Sequence, residues 1–278
     1  MISRGQTLRD RTLLFTGLVA SLAGLALVAL AAWWRQGRPA LRGTARALDT
    51  PWPPGEGFGV LVRAGALGLA ILAAASLFPS TLFKGNIVAL WSTLFASLPM
   101  LWLIHRHLLK PRGLTFSSAF GLTLRRPGGV AGLLGVTVVV IALDQAGALA
   151  ISWSAWQLGF QPHWWEGLQE RWIWGPWDTT LLAGVNAVVW GPVFEEIGFR
   201  GLVYVSLRSR LRPVPAALIS AGLFSLLHLY SLSGFLVVLW SGLIWAFVFE
   251  RVRSLLPGMI AHAGGNMLAL STALLFYR

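Results

Sequence analysis

Two adjacent carboxylates and an arginine stand inside an otherwise apolar run, Trp190-Gly191-Pro192-Val193-Phe194-Glu195-Glu196-Ile197-Gly198-Phe199-Arg200. An ionisable side chain at the centre of a membrane helix costs about 2.5–3.5 kcal/mol on insertion scales, so three of them within two turns need a reason. The i, i+4 spacing puts Glu196 and Arg200 on one helix face with the acid on the N-terminal side, the favoured geometry for an ion pair. Glu195 then points about 100° away. One alternative is that both acids only neutralise Arg200 and join helices; but one arginine does not need two carboxylates. Pro192 has no N–H, so it frees a carbonyl one turn earlier and kinks the helix. Gly191 and Gly198 let a neighbouring backbone come close.

Further along, Phe224-Ser225-Leu226-Leu227-His228 and His262-Ala263-Gly264-Gly265-Asn266 bring two of the five histidines into apolar segments. His262 and Asn266 lie one turn apart on one face. A lone membrane histidine serves more often as an interhelical hydrogen bond than as a catalyst; alongside a paired-glutamate helix, both become candidate site residues. Phe224 reads as packing. Asp144, beside Gln145, is another acid in an apolar segment, and either lines the same cavity or bonds two helices. His105, His107 and His163 read as solvated or interfacial. With no cysteine in the chain, thiolate metal sites and cysteine nucleophiles are excluded.

The elements that hold these residues follow from composition. The chain is 56% hydrophobic and 12% charged with 15 Trp, against about 25% charged in soluble domains, so the bilayer is its solvent. Apolar runs at 13–34, 60–78, 87–104, 130–153, 180–207, 214–232, 235–249 and 255–277 predict an all-α bundle of about eight spans enclosing a polar intramembrane cavity. The first exceeds the apolar core of a signal peptide. We expect a single membrane domain over 1–278, with a catalytic core at 180–276. The net charge of +12 sits in the connections, where it orients helices and meets anionic head groups, which argues against nucleic acid as a partner. Arg106, Lys110 and Arg112, then Arg208, Arg210 and Arg212, then Arg251 and Arg253 mark one side as cytoplasmic. Counting helical rise from Arg208 and Arg253 predicts a site that opens toward that side.

Glu195-Glu196 to Arg200, Phe224 to His228, and His262 to Asn266 resemble, in order, the Glu-Glu-x-x-x-Arg, Phe-x-x-x-His and His-x-x-x-Asn/Asp signatures of the CAAX-processing and bacteriocin-processing peptidases, the membrane group that includes the Ras-converting endopeptidases. The likeness covers roughly 180–276. It implies an intramembrane endopeptidase in which Glu195 and His228 activate water, His262 and Asn266 stabilise the oxyanion, and Glu196 with Arg200 supports the helix. The implied substrate is a peptide or protein with a membrane-proximal or lipidated segment, met among membrane lipids, with a bacterial cytoplasmic membrane as the expected location. A zinc reading uses Glu195, His228 and His262 as ligands; it needs a separate base, and only Glu196 is at hand, so the reading without a cofactor is preferred. Two other functions would use the same residues: a proton-coupled transporter, which calls for paired inverted halves that the sequence lacks, and an idle immunity or scaffold protein, which calls for a broken motif where all six positions are filled.

Overall fold

The computed structural model describes residues 51–77, 85–123, 129–160 and 174–277, with Gly17, Ser21, Gly24, Val28 and Glu166 as isolated positions. Apart from those positions the expected span at 13–34 lies outside the described residues, as does His163. The described residues form helices and no strand: α1 (Pro54–Ser76), α2 (Gly85–Leu103), a short α3 (Phe116–Phe120), α4 (Gly129–Gln157), α5 (177–208), α6 (Pro213–Leu226), α7 (Leu232–Val252) and α8 (Leu256–Tyr277). Leaving aside α3, they follow the second to eighth expected apolar runs in order.

Four segments, Pro54–Ser76, Ile87–Arg112, Gly129–Gln157 and Leu232–Val252, are long and apolar enough to cross a bilayer. The expected sixth span does not reach that length. Its helix α6 is 14 residues long and ends at Leu226, which at 1.5 Å per residue spans about 21 Å against a hydrocarbon core of about 30 Å. Proline opens α6 at Pro213, where its missing N–H is no loss. Large apolar side chains point outward along the helices, among them Leu69, Trp102, Leu149 and Leu218. That is the distribution expected where lipid is the solvent.

With no hydrophobic force between helices in lipid, close packing and interhelical bonds hold the bundle. α1 packs along α2, α6 along α7, and α4 against both α7 and α8. At the end carrying the basic connections, Ser254 donates to the Gly121 carbonyl at 2.6 Å and the Leu255 N–H to the Phe120 carbonyl at 3.1 Å, so α3 braces the α7–α8 turn.

The same end departs from expectation at Arg208. Read as a loop charge, it is wholly buried: Nε and Nη2 hold the two oxygens of Glu250 at 3.1 and 2.8 Å, and Nη1 donates to the Leu211 carbonyl at 2.7 Å. Tyr204 donates to the same Glu250 at 2.9 Å. Fork-shaped pairing of this kind needs a carboxylate on another helix, 42 residues away in sequence, which loop counting does not see.

Candidate active site

α5 is continuous but not uniformly wound. Two wide turns, Asn186–Trp190 and Ile197–Tyr204, flank the segment Gly191–Glu196, and π-type turns recur at functional sites. Their cause is legible. In the first turn the Gly191 N–H bonds the Asn186 carbonyl, five residues back. The Ala187 carbonyl would take its bond from residue 192, which is proline and has none to give. Asn266 of α8 fills the gap, its Nδ2 donating to the Ala187 carbonyl at 2.7 Å. The second turn is met in the same manner by α6, with Ser220 donating to the Phe199 carbonyl at 2.9 Å. Trp190 ties the first turn to α2 through Ser97 at 2.7 Å.

This winding sends the two glutamates to different environments. Glu196 is 1% exposed and pairs with the fully buried Arg200, Nη1 to Oε1 at 2.9 Å, as the i, i+4 spacing predicts. Two glycines make room for the pair: a Cβ on Gly258 of α8 would stand 3.1 Å from Glu196 Oε2, and one on Gly242 of α7 would stand 3.0 Å from Arg200 Nη2. The guanidinium lies 4.5 Å from the Phe224 ring centre and 5.0 Å from that of Trp245, contacts that stabilise a desolvated cation. Glu195 keeps 30% of its side chain exposed.

His262 stands between the two acids. Its Nε2 is 3.7 Å from Glu195 Oε2 and its Nδ1 is 3.5 Å from Glu196 Oε1. Trp245 stacks on the imidazole with ring centres 4.3 Å apart, and Phe224 meets its edge at 5.9 Å. Phe224 therefore does more than fill space, since its ring also packs on His228 at 4.7 Å. Trp245 carried no sequence signal, being one of 15 tryptophans in apolar runs.

His228 lies in a turn rather than within a membrane helix, because α6 ends two residues before it. Its Nδ1 is 2.8 Å from the Phe224 carbonyl. A carbonyl only accepts, so Nδ1 carries the proton, and in the neutral ring Nε2 presents a lone pair. Leu229 follows with φ of 55°, a conformation rare for a residue with a side chain. Next comes Tyr230, its ring 5.2 Å from His228 and within electrostatic reach of both Glu195 and Glu166. Glu166 accepts from the Ser231 N–H at 2.9 Å at the start of α7. Neither Tyr230 nor Glu166 follows from the sequence, since a left-handed leucine has no spacing signature.

Exposure rises from Arg200 and Glu196 toward Glu195, Asn266 and His228. The site thus opens beside the α6–α7 turn, away from Arg208 and Arg253. The rise count from Arg208 and Arg253 pointed the other way because it measured only the depth of Glu195 and His262 along their own helices, and depth does not say on which side neighbouring helices close over them.

The structure thus groups Glu195, Glu196, Arg200 and His262 directly, and joins Asn266 and His228 to them through Ala187 and Phe224. The zinc set is not assembled: among the described residues no three His, Asp or Glu side chains are grouped to hold a metal. Asp144 is buried beside this cluster.

No curated protein and no solved structure matches the chain. A family model does: residues 176–268 match the type II CAAX prenyl endopeptidase Rce1-like family, from the start of α5 to two residues past Asn266. That match spans about a third of the chain and contains all three motifs, so this segment is similar to the family that those motifs resemble.

Proposed function

We propose that the chain is an intramembrane endopeptidase in which Glu195 is the general base. The observation that carries this reading is the division between adjacent acids: Glu196 is buried against Arg200, while Glu195 stays open, 3.7 Å from His262 Nε2. Glu195 takes a proton from a water whose other hydrogen bonds to the His228 Nε2 lone pair. The water oxygen forms a bond to the scissile carbonyl carbon, and the charge that develops on the carbonyl oxygen is met by His262 Nε2–H and by the amide N–H of Asn266 not given to Ala187. Fixed donors of this kind are worth about 2–4 kcal/mol each. Collapse breaks the C–N bond, and Glu195 returns its proton to the leaving amine. Glu196, held by Arg200, and Trp245 fix the His262 ring.

The substrate class that suits this site is a peptide or protein with a membrane-proximal or lipidated segment. The exposed leucines around the mouth, Leu226, Leu227, Leu229 and Leu232, support an apolar segment beside the scissile bond, and the matched family is named for prenylated C-terminal tetrapeptides. The proposed location is a bacterial cytoplasmic membrane. The test is mass spectrometry of membrane peptides from cells carrying the wild type or Glu195→Ala: the wild type should yield at least one product that the variant lacks, and identical profiles would count against a peptidase.

A further inference from the structure

Asp144 takes no part in the reaction just described, yet it adjoins its machinery. It sits midway along α4 and is 4% exposed, and its Oδ1 has no hydrogen-bond partner among the described residues. Its Oδ2 is 3.8 Å from where a Cβ on Gly265 of α8 would stand, one turn past His262. Ser241 of α7 adjoins the carboxylate, and Arg200 and His262 are within electrostatic reach. The hydroxyl of Ser241 donates to the Val237 carbonyl at 3.1 Å, so it is not wholly committed to the aspartate.

Arg200 shows the complementary deficit. Nη1 is bonded to Glu196, whereas Nε and Nη2 have no hydrogen-bond partner among the described residues. Nη2 lies against Gly242, the residue after Ser241. Two incompletely bonded groups of opposite charge thus flank the Ser241–Gly242 backbone. A buried charge without compensation is costly, and the formal charges of Asp144, Glu196 and Arg200 leave one negative charge over. The ring that faces this surplus is His262, whose Nδ1 looks at Glu196 Oε1, the same oxygen that Arg200 holds.

We propose that Asp144 is a positioning residue of the peptidase site, sharing Arg200 with Glu196 so that Glu196 keeps charge for holding His262. The effect runs from Asp144 to Arg200, then Glu196, then His262, and only the last touches the reacting atoms. α4 lies outside the residues matched by the family, so the site would extend N-terminal to the matched segment. The proposal rests on the peptidase reading above.

The test uses full-length chain in proteoliposomes and a synthetic, dye-quenched form of the peptide whose cleavage is lost in Glu195→Ala cells. Asp144→Asn keeps the shape and removes the charge. Turnover per folded molecule should fall at least tenfold with KM within twofold of wild type, and the same change made in His262→Ala should add no further loss. Trp240→Phe is the packing control. It removes the 3.1 Å bond from Trp240 Nε1 to the Leu143 carbonyl in the same α4–α7 contact, and should lower stability while leaving turnover per folded molecule unchanged. Wild-type turnover in Asp144→Asn would overturn the proposal, as would equal losses in Asp144→Asn and Trp240→Phe. Should Asp144→Asn fold poorly, Asp144→Glu, which keeps the charge, should exceed it in turnover per folded molecule, and equality would again overturn the proposal. A wild type no more active than Glu195→Ala would refute the peptidase reading itself, and this proposal with it.

Discussion

Replacing Arg200 with alanine tests whether the motif arginine holds the site together. The guanidinium is fully buried, 2.9 Å from Glu196 and close to the faces of Phe224 and Trp245. Arg200→Ala leaves the Glu196 carboxylate buried without its cation, a change that costs about 3–5 kcal/mol when a buried pair is broken from one side. Loss of the two ring contacts adds about 1 kcal/mol. At about 2–4 °C per kcal/mol for a chain of this size, a total loss of about 5 kcal/mol lowers the midpoint by roughly 10–20 °C. The assay is thermal unfolding in detergent, with the double variant Glu196→Gln/Arg200→Met beside the single one. Removing both charges for groups of similar volume is often neutral, so the double variant should recover most of the stability but not the activity, since His262 loses its Glu196 partner. An unchanged midpoint in Arg200→Ala, or a double variant as unstable as the single, would refute the reasoning.

Three further outcomes follow from the geometry. Asn266→Ala should raise the catalytic barrier by about 2–4 kcal/mol, as loss of one oxyanion donor does, and lower stability by only about 1 kcal/mol because water can reach the Ala187 carbonyl; steady-state kinetics beside unfolding would show a mere helix brace if stability alone fell. Glu250→Ala should lose about 3–5 kcal/mol of stability, since it removes the carboxylate paired with the buried Arg208, while turnover per folded molecule stays at the wild-type level; a fall in that turnover would mean that this network reaches the site. Exhaustive chelation should leave turnover unchanged, and elemental analysis of active protein should find zinc well below one per chain; loss of activity restored by added zinc would contradict the metal-free mechanism.

The parts of this architecture legible in sequence are those governed by composition and short spacing. Apolar runs marked the helices in order, the short α3 excepted, and the i, i+4 rule paired Glu196 with Arg200 because both lie on one helix. Pro192 announced a disturbed helix, though not that Asn266, 79 residues beyond Ala187 in sequence, would take the freed Ala187 carbonyl. What escaped depends on the third dimension. α6 stops at Leu226 and turns through a left-handed Leu229, for which a continuous apolar run gives no warning. Arg208 reads as a loop charge until Glu250 is found beside it, and Trp245 joins the site only through the α7–α8 crossing.

The central claim is that Glu195, and not its neighbour, activates water. Purified wild type, Glu195→Gln and Glu196→Gln in proteoliposomes should be compared in single-turnover cleavage of the same membrane peptide, normalised to folded protein. The account predicts no detectable cleavage by Glu195→Gln, and measurable though reduced cleavage by Glu196→Gln, whose loss disturbs His262 without removing the base. Wild-type cleavage by Glu195→Gln would contradict it.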